Sequence, residues 1–369
     1  MRVLIAPDAF KGSLSADQAA GAMAAGVRDA MPDAEIEIEM LPLADGGEGT
    51  ANVLLSCLSH EENIVTNDKY IVYLDDDGND VALIESARCL GLMLPAMRAR
   101  DVWRRGSGAL GDGIRHALDA GIRRFVIALG GSATNDAGLG LLAALGMRAF
   151  DEQGREVSPD LQGLLSVRSL DIAALDSRLA DSRLTVLSDV DSPLCGPMGA
   201  TFTFGPQKGL AADRLEEVDR AMSGYAELTE AAFGNPGADV PGEGAAGGLG
   251  FALRLLGGRV VSGADYVIGK TGLARRVHGV DLVVTGEGRS DAQTLTGKLP
   301  LKVAEAARAA GARVALVSGS VDRSVVAELE KRFDCVISAQ PEGMPDDQAI
   351  KQAMSLLTDA TARLGGMIG

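Results

Sequence analysis

Apolar runs recur along this chain, and at five places such a run ends in a small, polar loop, rich in acid and glycine, that opens a helix. The loops are APDAFKGSLS (6–15), PLADGGEGT (42–50), LGGSATND (129–136), SDVDSPLCG (188–196) and TGEGRSDAQT (285–294). Arg2–Ala6 predicts a buried strand, and Ser15 to Ala30 a helix whose Ser15 and Gln18 have capping-box spacing. Glu35–Leu41 alternates polar and apolar, and Thr50–Leu58 has a helical pattern. Residues 60–105 differ: VTNDKYIVYLDDDGNDVALIESA predicts a hairpin turning near Asp77–Asn79. Helix and strand then alternate through Leu110–Ala120, Phe125–Leu129 and Gly138–Leu145. After a longer-looped stretch, strand runs return at Asp281–Thr285, Arg313–Ser318 and Cys335–Ala339, with a helix over Leu301–Ala310 between the first two. The organisation is α/β throughout. The predicted partition is a parallel-sheet domain from 1–62, 106–145 and 262–369, interrupted by a second, smaller α/β domain from 63–105 and 146–261.

In open parallel sheets, ligands bind outside the carboxyl ends of the strands. Glycine there lets backbone N–H groups approach an anion, and a following helix adds its positive end. Composition narrows the partner. With 369 residues, 46% hydrophobic and only 4% aromatic, the chain predicts two domains with aliphatic cores. A net charge of −16 disfavours nucleic acid and anionic membrane surfaces, while leaving room for local cations to bind ATP. No run reaches the ~18 apolar residues of a membrane span. The opening MRVLIAPD lacks a signal peptide's apolar stretch, and the four cysteines form no CxxC pair, so a soluble cytoplasmic protein with reduced thiols is expected.

Some motifs mislead. GSGALG (106–111) fits GxGxxG but follows MRARDVWRR, a poor strand, so a dinucleotide site and with it an NAD-dependent dehydrogenase are disfavoured. SGADYVIGKT (262–271) ends like a phosphate loop with the wrong glycine spacing. DDDGND (75–80) has its glycine misplaced for calcium and is expected to be a turn. His60, His116 and His278 stand apart from one another, which gives no histidine triad or metal–histidine set. The five loops are more persuasive. Gly130, Gly131, Ser132, Thr134 and Asn135 can wrap an anion. Asp189 and Asp191 lie two apart just past a strand, a spacing suited to Mg²⁺ or a general base. Glu287, Arg289, Asp291 and Lys298 form the densest acid-and-base loop, and Asp8, Lys11, Asp45 and Lys208 add further charge. For Glu48, capping of the next helix is an alternative to a role in binding.

Taken in order, APDAFKGSLSA, PLADGGEGT, LGGSATND, DVDSPLCGPMGAT, FGPQKG, PGEGAAGGLG and TGEGRSDAQTLTGKLP resemble the bacterial type-I glycerate kinase family, from residue 6 to about 300. The resemblance implies ATP-dependent phosphorylation of D-glycerate, usually at the 2-hydroxyl, with Mg²⁺. It also implies a Rossmann- or flavodoxin-like domain joined to a smaller α/β domain, with the active site in the cleft between them. On this reading Gly130, Gly131, Ser132, Thr134 and Asn135, with Lys11, meet ATP. Asp189 and Glu287 are the candidate bases, and Asp191 and Asp291 the metal ligands. Arg289, Asp45, Asp8 and Lys208 bind the acceptor. Either a monomer or a homodimer is expected. This chain has Ala9, Ser192 and Glu243 where the family usually has serine, asparagine and a small residue. Those departures keep two alternatives open: a non-catalytic nucleotide- or carboxylate-binding protein, or a kinase of another small hydroxy acid.

Overall fold

The computed structural model describes residues 1–32, 35–58, 64–237 and 240–368. They form two compact units: Met1–Asp45, Asn52–Cys57 and Ala264–Gly369 make the first, and Gly46–Ala51 with Leu58–Gly263 the second.

The first unit is built on a five-stranded sheet in the order Cys335–Ser338, Arg313–Ser318, Leu282–Thr285, Arg2–Ile5, Glu37–Met40, every pair parallel. The inner strands are near-continuous apolar runs because helices cover both faces of such a sheet. Val3, Ile5, Val284, Ala315 and Val317 join Met23 and Val27 in its core. The helix Ala16–Ala30 starts where the sequence placed it: Ser15 accepts from Gln18 N–H, and the Gln18 side chain accepts from Ser15 N–H. Its small buried face (Ala19, Ala22, Met23, Gly26) packs on the helix Ala353–Ala362 so closely that a methyl at Gly26 would overlap the Thr358 carbonyl.

The second unit carries a six-stranded sheet in the order Arg259–Val261, Arg183–Leu187, Arg124–Ala128, Asp80–Glu85, Ile71–Leu74, Val65–Thr66. The first four strands are parallel, and the last two add as an antiparallel hairpin. The turn between Ile71–Leu74 and Asp80–Glu85 is closed by Asp75, which accepts from the N–H groups of Asp77 and Asn79 and pairs with Arg124 at 2.6 Å. Those N–H donors, Asn79 first, hold the Asp75 carboxyl down at about 2. DDDGND is therefore a turn that consumes its own carboxylate.

The partition differs from the sequence-based one in three respects, the first being that Gly46–Ala51, expected in the first domain, falls in the second unit. Residues 106–145 belong to the second unit, since Arg124–Ala128 lies between two of its strands. The second unit is thereby the larger. An apolar run reports that a strand is buried on both faces, and says nothing of which sheet buries it. The expected boundary at 62/63 lies outside the described residues.

Gly26→Ala tests the helix contact. Overpacking costs roughly 1–3 kcal/mol, against a helix-propensity gain of about 1 kcal/mol. The variant should lose up to about 2 kcal/mol in urea unfolding, with its secondary structure unchanged.

Candidate functional site

At the carboxyl end of the first unit's sheet, three loops are stacked by backbone hydrogen bonds. Asp8 N–H donates to Gly286 O (2.9 Å), Gly319 N–H to Glu287 O (3.0 Å) and Ser320 N–H to Gly288 O (3.0 Å). Gly286 is glycine because any Cβ would overlap Val317 O, and one at Gly319 would overlap Gly288 O. The stacking brings Asp8, Lys11, Asp45, Glu287, Arg289, Asp291 and Lys298 around one cavity of about 370 Å³. Seven of the sequence-predicted charged residues thus come together in one unit.

Asp8 is 5% exposed and accepts from Ala9 N–H at 2.7 Å. Burial first, and then Asp45, push its carboxyl well above the usual carboxylate range, with Lys11 opposing. Glu287, 7% exposed, is also raised by burial, although Thr294 Oγ1 (2.6 Å) and Ser290 Oγ (2.9 Å) donate to it. Ser290 Oγ in turn lies 2.7 Å from Ser318 Oγ. Lys11 Nζ reaches Asp45 at 2.8 Å. Burial works against that ammonium, but Asp45, Asp8 and Glu287 outweigh it and raise its pKa. Arg289 is exposed, with Asp322 at 3.6 Å and Asp291 at 4.0 Å. Asp291 closes its own turn by accepting from Gln293 N–H at 2.8 Å.

The second unit holds the remaining residues. Gly130 packs so tightly on Gly47 that a Cβ would overlap Gly47 Cα, and Gly131 has φ +69°. Ser132 Oγ, Thr134 Oγ1 and Asn135 Oδ1 are buried without a hydrogen-bond partner. Behind them Lys208 Nζ, itself buried, donates to Thr134 O at 2.8 Å. Burial lowers the Lys208 pKa to about 7, with Asp136 opposing. Asp136 is fully buried and accepts from Ser107 N–H, Ser107 Oγ–H, Gly138 N–H and Gly140 N–H. The glycine-rich segment at 106–111 thus serves that carboxylate, after a short 3₁₀ turn and no strand.

Asp189 and Asp191 are exposed, and Asp189 Oδ1 accepts from Gly263 N–H (3.1 Å), at the start of the helix Gly263–Thr271. Asp191 and Asp291 lie in different units. Among the described residues no group of three or more His, Cys, Asp and Glu is arranged to hold a metal ion, and His60 lies outside those residues. The N–H groups of Gly49 and Ala51, which Glu48 could have capped, donate instead to Glu85, a buried carboxyl from the Asp80–Glu85 strand. Glu243 proves structural: it pairs with Arg254, which also holds Glu230 at 2.7 Å. Sequence reasoning missed Ser290, Ser318, Gln340 and Asp346, all close to or lining the first cavity. Ser318 ends a strand and Gln340 follows one closely, which is the only signal they carried.

Comparison with known proteins agrees over the whole chain. Residues 3–369 match the model of the "Glycerate kinase family". The chain is 40% identical to the glycerate kinase of Bacillus subtilis (strain 168), over 98% of this chain and 96% of that protein. It is 36% identical to the glycerate 2-kinase of Escherichia coli (strain K12), over 100% of this chain and 98% of that protein. A solved protein from Salmonella typhimurium LT2, assigned as glycerate kinase 2, superposes with a TM-score of 0.74 at 36% identity, over 100% of this chain and 98% of that one.

Lys208 supplies a pH test. Between about 7 and its ordinary 10.5, only the unfolded chain binds the Lys208 proton. Stability should therefore rise with pH across that window, by about 1.4 kcal/mol per pH unit from this group. Lys208→Met should lose that slope, measured as melting temperature against pH, and should gain most over the wild type below pH 7.

Proposed function

The chain belongs to the glycerate kinase family and is a phosphotransferase acting on glycerate; we propose that it moves the γ-phosphoryl group of ATP to the 2-hydroxyl of D-glycerate, releasing ADP and 2-phosphoglycerate. The observation that carries the reading is the cavity in which buried Asp8 and Glu287 sit beside Lys11, Asp45 and Arg289. The 2-hydroxyl follows the name of the Escherichia coli relative, a glycerate 2-kinase.

Phosphoryl transfer asks mainly for positioning and for neutralised charge. Glu287 is our choice for the group that takes the hydroxyl proton. Burial raises its pKa, which brings a carboxylate closer to the value a base needs, and the Ser290 and Thr294 hydroxyls fix its orientation. Asp189, exposed and engaged with Gly263 N–H, is the second candidate. Arg289 offers a planar fork for the glycerate carboxylate, as arginine does for carboxylates generally. Asp8 and Asp45 are proposed to accept from the glycerate hydroxyls, and Lys11 to meet phosphate oxygens. The unpartnered hydroxyls of Ser132 and Thr134, beside Asn135 on the turn made by Gly130 and Gly131 with Lys208 behind it, support a set of phosphate contacts in the second unit.

Mg²⁺ keeps most of its water and is usually held by substrate phosphates with one or two carboxylates. A chain whose described residues form no three-ligand cluster fits a metal that arrives with the nucleotide. Asp291, at the first unit's cavity, is the carboxylate proposed to join it, with Asp191 of the second unit as the alternative. When bound, it would offset the negative charge of the phosphate chain.

Glu287→Gln should lower kcat about 10²- to 10⁴-fold, with glycerate KM little changed. Because the base must be ionised, wild-type kcat should fall as the pH drops through the raised Glu287 range, and the variant's residual rate should lack that acid limb. Arg289→Ala should raise glycerate KM about 10- to 100-fold, the worth of a charge-assisted hydrogen bond. Phosphorus NMR of the product should show 2-phosphoglycerate; the 3-isomer would overturn the regiochemistry.

A further inference from the structure

One wall of the first unit's cavity has no use for glycerate. It is formed by Ala349, Ile350, Ala353 and Leu357, from the helices Asp346–Lys351 and Ala353–Ala362. Ile350 lines the cavity and is 50% exposed, one of few large apolar side chains left so open. A cavity of about 370 Å³ is in the size range that encloses drug-sized ligands, roughly 300–1,000 Å³. Glycerate, a short acid bearing oxygen on every carbon, has no apolar face to lay on that wall. Of the two substrates only ATP has one, its base. The two alanines of the wall carry only a methyl each.

Beside this wall stand two oriented acceptors. Gln340 is anchored by its backbone, whose N–H donates to Gly319 O at 2.8 Å. Its side-chain Nε2 donates to Met344 O at 2.8 Å and to Asp346 Oδ1 at 2.9 Å. Both amide hydrogens are thereby committed, which leaves Gln340 Oε1, with the Asp346 carboxylate, to receive a donor. Lys11 and Lys298 line the same cavity.

We propose that the wall of Ala349, Ile350 and Ala353 seats the purine ring of ATP, with Gln340 and Asp346 receiving its amino group. The ring lies flat on the apolar wall, and the phosphate chain leads toward Lys11 and Lys298. The proposal rests on the kinase reading and places that reading's nucleotide in the first unit. Arg289, Asp8 and Asp45 remain for the acid.

Calorimetric titration with ADP and steady-state kinetics test it together. Ala353→Phe fills the wall and should weaken ADP binding and raise ATP KM at least ~10-fold, about the 1.4 kcal/mol of one decade, while glycerate KM holds. Ala349→Phe is the second variant, each checked for an unchanged circular dichroism spectrum and melting temperature. On the wild type, the purine-riboside triphosphate that lacks the 6-amino group should show a KM about five- to tenfold above that of ATP, the worth of one hydrogen bond. Asp346→Ala should shrink that difference, leaving the share carried by Gln340. Equal KM values for the two nucleotides on the wild type would overturn the amino-group contact. A rise in glycerate KM with ADP binding unchanged would give the wall to the acid, and no change in either would place the ring elsewhere; both overturn the proposal. ADP titration reads this subsite whether or not glycerate turns over. Wild-type protein that binds ADP in this way without phosphorylating glycerate would count against the kinase reading alone.

Discussion

Three carboxyl groups crowd the end of one parallel sheet, and the site depends on how their charge is held there. Asp8 and Glu287 are buried, Asp45 acts on Asp8, and the Lys11 ammonium is bound to Asp45. Like charges that close disfavour joint ionisation, and burial disfavours each charge singly. The protein answers in two ways. It places hydroxyls and an N–H group on the oxygens of Glu287 and Asp8, and it lets the pKa values of those two rise although Lys11 and Lys298 oppose the rise. The backbone makes this arrangement stiff, because Gly286 and Gly319 allow loops from separate strands to touch without side chains between them. A methyl at either position would separate the loops and with them the carboxyls.

The second unit solves a different problem with similar means. Ala137 and Ala246 both adopt positive φ, 51° and 56°, a conformation that costs a non-glycine residue about 1–3 kcal/mol. Ala137 N–H donates to Gly247 O at 3.0 Å, and Gly247 has no room for a Cβ against Thr134 O. The strained Ala137 and the unpartnered oxygens at Ser132, Thr134 and Asn135 therefore fall within one short segment. Each unmet buried polar atom costs about 1–3 kcal/mol. A fold under selection for stability alone would replace Thr134 with valine, so the retained oxygens argue for a use.

Much of this was legible in the residues, for identifiable reasons. Parallel strands buried on both faces leave unmistakable apolar runs, and the loop at 285–294 concentrates charge where such strands end, so the cavity's charged half could be located in advance. Partnership was not legible. Phe125–Leu129 reads as a strand in any sheet, and only tertiary pairing assigns it to the second unit. Glu243 reads as a stray charge in a glycine-rich loop until Arg254 is found on it. Asp189 reads as half of a carboxylate pair, yet one of its oxygens faces a helix start. The apolar wall was hidden because Ala349, Ile350 and Ala353 look like an ordinary amphipathic helix, whose exposed side is known only from the fold.

Net charge sharpens the question of how such a protein attracts two anions. At −16 the average field repels both ATP and glycerate. The site works against that average through which groups are charged near neutral pH. Lys11, with its pKa raised by three carboxyls, keeps its charge, while burial pulls Asp8 and Glu287 toward their neutral forms. Both shifts act in the direction that makes the cavity less negative than its composition implies. Binding cations close to Glu287 then favours its ionised form, since opposite charge lowers a carboxyl pKa. On the proposed reading, Glu287 would be a base whose ionisation follows the arrival of cations, which would couple substrate binding to proton removal.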